Sequence, residues 1–134
     1  MTRESLWQDH TTIQGTASGT GASEAAPPPE DSLLYVGDAQ YAVITVNISY
    51  RSAHGGTFPA IAIQVAPSRG GTWTTVGSAV TALGEATIKL AREPASGSSA
   101  LRMDGAWLRW CVLQPASADG QAYRITFLVT AVLI

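Results

Sequence analysis

Two histidines, one cysteine and a few turn-flanking aspartates are the side chains with which this chain could do chemistry, and none has the company that chemistry requires. A metal site needs convergent ligands at recognisable spacings. His10 stands in a flexible N-terminal stretch and His54 in the glycine loop His54-Gly55-Gly56-Thr57, each without a second histidine at ligand spacing. Cys111 lies between Trp110 and Val112 in a strand-like run, which suits a small packed thiol better than a nucleophile, and a single cysteine cannot close a disulfide within the chain. Asp31, Asp38, Asp104 and Asp119 adjoin turns, where aspartate bends the backbone. Acyl transfer from serine would need a Gly-x-Ser-x-Gly elbow, and Gly97-Ser98-Ser99 reads instead as loop. The glycines from Gly15 to Gly21 lack the Gly-Lys-Ser/Thr ending of a phosphate loop. No catalytic group, metal or cofactor is expected.

Contact chemistry is better represented. Trp73 follows a glycine turn and Trp107 begins a strand, with Arg109 two residues on, so these three are candidate partner contacts. Trp110 alternates with core positions and is expected inside. Leu6, Trp7 and Ile13 are the sizeable apolar groups of the N-terminal stretch and candidate anchors there.

The elements that must position these residues are strands. Tyr41 to Arg51 alternates Ile44, Val46, Ile48 and Tyr50 against Val43, Thr45, Asn47 and Ser49. In Pro59 to Ala66, Ile61, Ile63 and Val65 share one face, and Gly70-Gly71 is expected to supply the positive φ of a tight hairpin before Thr72-Trp73. Leu33 to Val36, Thr72 to Val76 and Ala86 to Leu90 are further strands; Gly84 and the β-branched Thr87-Ile88 argue against a helix over 79–91. Trp107 to Gln114 is large on both faces and so expected to be covered on both sides, and Tyr123 to Ala131 places Tyr123, Ile125, Phe127, Val129 and Ala131 on one face. Seven or eight strands joined by Gly, Ser and Pro turns predict an all-β antiparallel β-sandwich, with jelly-roll or Ig-like connectivity.

Residues 1–32 differ: Gly, Ala, Ser and Thr dominate from Gly15 to Ala26, followed by Pro27-Pro28-Pro29. Such a tract buries too little apolar surface to offset its conformational entropy and reads as an extended arm ahead of a sandwich domain at 33–134. Within it, a docking peptide for a neighbour and an edge strand at Thr11 to Thr16 are both open readings. Deleting 1–32 is expected to leave the sandwich folded while weakening attachment to a partner.

Only 13% of the residues are charged, about half the usual share, which fits a surface covered by other subunits better than a free monomer. One lysine, Lys89, and scattered arginines at net charge -2 give no basic stripe for nucleic acid. The first residues carry no apolar signal core, so synthesis in the cytoplasm is expected, and the apolar run Ile125 to Ile134 is shorter than a membrane helix requires.

Taken together, Ile61-Ala-Ile-Gln-Val-Ala-Pro-Ser-Arg-Gly-Gly-Thr-Trp73, Gly84 before a short strand, Trp107-Leu-Arg109 and the last strand resemble small bacteriophage virion proteins of β-sandwich type, over residues 33–134. In those sequences Asp-Gly-x-Thr-Trp follows a Val-x-Val-Gln-x-Ser strand; here Arg69-Gly70 replaces the Asp-Gly pair, and Ala66-Pro67 precedes Ser68. The resemblance implies a structural protein of the phage particle, a decoration or cement protein that bridges neighbouring subunits of the major capsid protein through arm and sandwich, assembled as a homo-oligomer and located in the virion. A tail or neck component is an alternative within the particle. A surface receptor or glycan-binding module, with Trp73, His54 and Tyr50 around a shallow site, is an alternative of another class.

Overall fold

The structure is a computed structural model that describes residues 3–6, 11–18, 33–55, 57–98, 100–103, 107–116 and 119–134, with backbone only for 3–6. Trp7, His10, Pro27 to Pro29, Asp31 and Asp104, and the side chain of Leu6, lie outside the described residues. Among the described residues there is no helix. The strands are β1 (Arg3–Leu6), β2 (Thr11–Thr16), β3 (Leu34–Tyr35), β4 (Tyr41–Ala53), β5 (Ala60–Ala66), β6 (Thr74–Thr75), β7 (Gly84–Ala91), β8 (Leu101–Arg102), β9 (Trp107–Leu113) and β10 (Ala122–Leu133). β1 and β8 are additional to the strands that alternation marked.

Two mostly antiparallel sheets result. In the first, β10 pairs with β4 along one side and with β1 and β2 along the other; β7 lies beyond β4, and β8 runs parallel to the end of β7 through Leu90↔Leu101. The second has the order β3-β9-β5-β6. Period-2 alternation turns Ile44, Val46, Ile48, Ile125, Phe127 and Val129 of the first sheet toward Ile61, Ile63, Val65, Leu108, Trp110 and Val112 of the second, and they form one core. The Trp110 ring meets Phe127 edge-on, with centroids 4.9 Å apart, which ties β9 to β10 across the sandwich-like pair.

Three local expectations are corrected. Strict alternation places Tyr50 on the core face of β4, but the register against β10 shifts: Thr126 pairs with Tyr50 and Phe127 with Ile48, leaving Ser49 as an extra residue. This bulge re-aims the remainder of the strand, so Tyr50 turns outward and is 49% exposed. Ser49 Oγ donates to the Thr126 carbonyl at 3.3 Å. Arg51 turns the other way, its guanidinium 4.0 Å from the Phe58 ring centroid and donating to the Thr81 carbonyl.

The β5–β6 connection is likewise not a two-residue hairpin. It spans 67–73, with the Gly71 N–H donating to the Ser68 carbonyl at 3.0 Å, and neither Gly70 nor Gly71 is in the left-handed region. A turn with ordinary backbone angles at Arg69-Gly70 suffices for a connection of that length.

Of the two readings of the N-terminal stretch, Thr11–Thr16 is an edge strand, in register Ile13↔Ile125 with β10, and Ile13 packs against this chain's own core rather than standing free as an anchor. The N–H of Ser18 donates to Gln114 Oε1 at 3.0 Å, and Gln114 Nε2 donates back to the Ser18 carbonyl, fixing the chain where it leaves the sheet.

Candidate functional site

The outward side chains of the second sheet bring the three sandwich candidates together. β9 alternates, so Leu108, Trp110 and Val112 enter the core while Trp107 and Arg109 point away from it. Gln64 of β5 sits directly opposite Arg109, and Thr75 of β6 directly opposite Gln64. Arg109 Nε donates to Gln64 Oε1 at 2.7 Å, and Gln64 Nε2 donates to Thr75 Oγ1 at 3.2 Å, so one polar row crosses three strands. Above that row the Arg109 guanidinium lies over the Trp73 ring, 4.5 Å from its centroid.

One step along β9, Trp107 pairs with Tyr35 of β3, their rings 5.1 Å apart and tilted, and the Arg69 guanidinium lies 5.8 Å from the Trp107 centroid. Tyr35 is 55% exposed, whereas Gln64 beneath is buried. The result is a surface of Trp, Tyr and Arg, the types that dominate binding hot spots, held by contacts within the chain. Side chains already ordered lose less freedom on association. Replacing Gln64 with leucine removes both hydrogen bonds of the row, one of them to a charged donor. It is expected to cost about 1–3 kcal/mol of stability, read as a lower denaturant midpoint at unchanged m-value.

Tyr35, Gln64 and Arg69 were not singled out from sequence. Gln64 carried a faint signal, as the polar residue of an otherwise apolar strand. Tyr35 carried none, because its meeting with Trp107 depends on pairing between strands far apart in the chain.

A second feature lies on the outer face of the first sheet, where the Ser49 bulge has turned Tyr50 outward. An open cleft of about 550 Å³ is lined by Gln14, Tyr50, Ser52, His54 and Arg124, among others, with Tyr123 reaching its wall from the buried face of β10. The Arg124 guanidinium stands 5.8 Å from the Tyr50 centroid. Burial raises the Tyr123 hydroxyl above its ordinary value, so it stays protonated at neutral pH. The structure therefore brings Tyr50 and His54 together but leaves Trp73 on the outer face of the other sheet. Among the described residues there is no group of three or more His, Cys, Asp or Glu that could hold a metal ion. Cys111 is buried.

The chain matches no protein-family model, no curated protein and no solved structure.

Proposed function

We propose that this chain is a non-enzymatic structural protein of the bacteriophage particle, a capsid decoration or cement protein with jelly-roll connectivity, whose outward second sheet is its contact face. The strand order supports that connectivity. Without β1 and β8, eight strands remain, and in chain order the sheets read first-eighth-third-sixth and second-seventh-fourth-fifth. First pairs with eighth, second with seventh, third with sixth and fourth with fifth, as when one long hairpin is rolled into two sheets. An Ig-like sandwich keeps its first two strands in one sheet, whereas β2 and β3 lie in different sheets.

The observation that carries the role is the ordered Trp73, Arg109, Trp107 and Tyr35 surface on a body with few charges. Such a face suits a firm contact with another protein, and the proposed mechanism is mechanical: the domain sits across a boundary between capsid subunits, so that parting them also breaks its contacts. Since β2 and Ile13 belong to the chain's own sheet, the bridging contact falls to this face. Particles stripped of the protein and re-incubated with the full chain test it. Trp73→Ala/Trp107→Ala should keep the wild-type circular dichroism spectrum and lose attachment roughly a hundredfold, the loss expected of two hot-spot residues. Unchanged attachment would reject this face.

A further inference from the structure

The bulge at Ser49 builds a site on the outer face of the first sheet. It turns Tyr50, Ser52 and His54 outward on β4, where uninterrupted alternation would have sent Arg51. Arg124 of β10 stands directly between Ser52 and Gln14 of β2. One row away, His54 and Thr16 flank Ala122, whose methyl group leaves the depression between them. β4 and β2 are two strand spacings apart, about 9.5 Å, so their side chains wall a trough one sugar ring wide.

Ser52, Thr16 and Gln14 can each donate and accept hydrogen bonds, as the hydroxyls of a saccharide require. The Tyr50 ring, half exposed, offers a flat apolar surface to the C–H face of a sugar. Arg124 adds a preference for an anion. Its guanidinium stands 5.8 Å from the Tyr50 centroid and makes no hydrogen bond or ion pair with another described residue. Among the described residues no Asp or Glu lines the cleft. A guanidinium so placed presents the planar fork that binds a carboxylate through two parallel hydrogen bonds.

We propose that this cleft binds an acidic saccharide, with the carboxylate of a uronic or sialic acid unit on Arg124, the sugar ring against Tyr50 and its hydroxyls on the flanking polar side chains. A lone arginine among hydroxyl and amide groups suits a sugar acid better than a nucleic-acid strand, which calls for a run of cations. The site shares no residue with the second-sheet contact face, so either proposal can fail without the other.

NMR titration of the full chain tests it, with trigalacturonate and sialyllactose as acidic probes and galactotriose and lactose as their neutral counterparts. At least one acidic probe should bind with a Kd of about 1 mM or tighter and shift the amides of Tyr50, Ser52 and Arg124. Its neutral counterpart should bind about tenfold more weakly or worse, because it forgoes the charge-assisted bonds. Arg124→Gln should abolish that preference, and Tyr50→Ala should weaken the acidic probe roughly tenfold. Both side chains are exposed, so both variants should keep the wild-type spectrum away from the cleft. Acetate at the same concentration should cause no comparable shifts, which separates a sugar site from a bare anion site. Failure of both acidic probes to bind, equal binding of the neutral counterparts, equal binding of acetate, or an Arg124→Gln variant that keeps the preference would overturn the proposal.

Discussion

Trp110→Ala is expected to lower the unfolding free energy by about 3–5 kcal/mol and the melting temperature by on the order of 10–20 °C, a larger effect than any other single substitution proposed for this protein. Trp110 is buried on β9, and its ring packs edge-on against Phe127 of β10. It is therefore the group whose removal opens the largest cavity between the sheets. Strands pinned by ladders on both sides cannot close such a gap by a small shift, so the cost sits high in the observed range. Trp110→Phe should recover more than half of the loss. It keeps an aromatic ring against Phe127 and removes an indole N–H that has no hydrogen-bond partner among the described residues. Equilibrium denaturation of the three proteins measures this. A phenylalanine variant as unstable as the alanine one would mean that the indole N–H, and not the ring contact, is what the core needs.

Removing residues 1–18 should likewise destabilise the fold, on the order of 5 kcal/mol. Four residues of β1 and six of β2 pair with β10, and Ile13 covers part of the core at that edge. The deletion also takes away Ser18, the main-chain partner of Gln114, a side chain that is otherwise buried. It leaves the long β10 as an open edge, so aggregation should rise together with the loss of stability. This departs from the sequence-based expectation that the whole N-terminal stretch can be cut away from a folded sandwich. Denaturation and light scattering of the shortened chain beside the full one decide it: an unchanged midpoint would mean that β1 and β2 add nothing to the sheet.

Where large β-branched or aromatic residues alternated without interruption, the strands were legible. β5 and β9 were read with their core faces correct, because a one-residue slip would put Ile63 or Trp110 into water; β10 was read as two alternating, partly apolar faces, and the one carrying Phe127 is the core face. β4 was legible only to Ile48, since the Ser49 bulge adds a residue without any mark in the sequence, and Tyr50 consequently falls on the opposite face from the one alternation assigns it. β1 and β8 are short and held by pairing rather than by their own pattern, so nothing local announced them. Gly70-Gly71 looked like a tight turn by composition, but the seven-residue connection made positive φ unnecessary there. The proposed contact face was half legible. Trp73, Trp107 and Arg109 stood out by residue type, whereas Tyr35 and Gln64 joined them through the β3–β9 and β5–β9 registers, which are properties of distant pairing.

The proposed role rests on this protein's being part of a phage particle, and its copy number in purified particles tests that claim most directly. Quantitative mass spectrometry against the major capsid protein should find it in near-stoichiometric amounts. A handful of copies per particle would contradict the decoration role and place it at a neck, tail or vertex, and its absence would contradict the virion reading altogether.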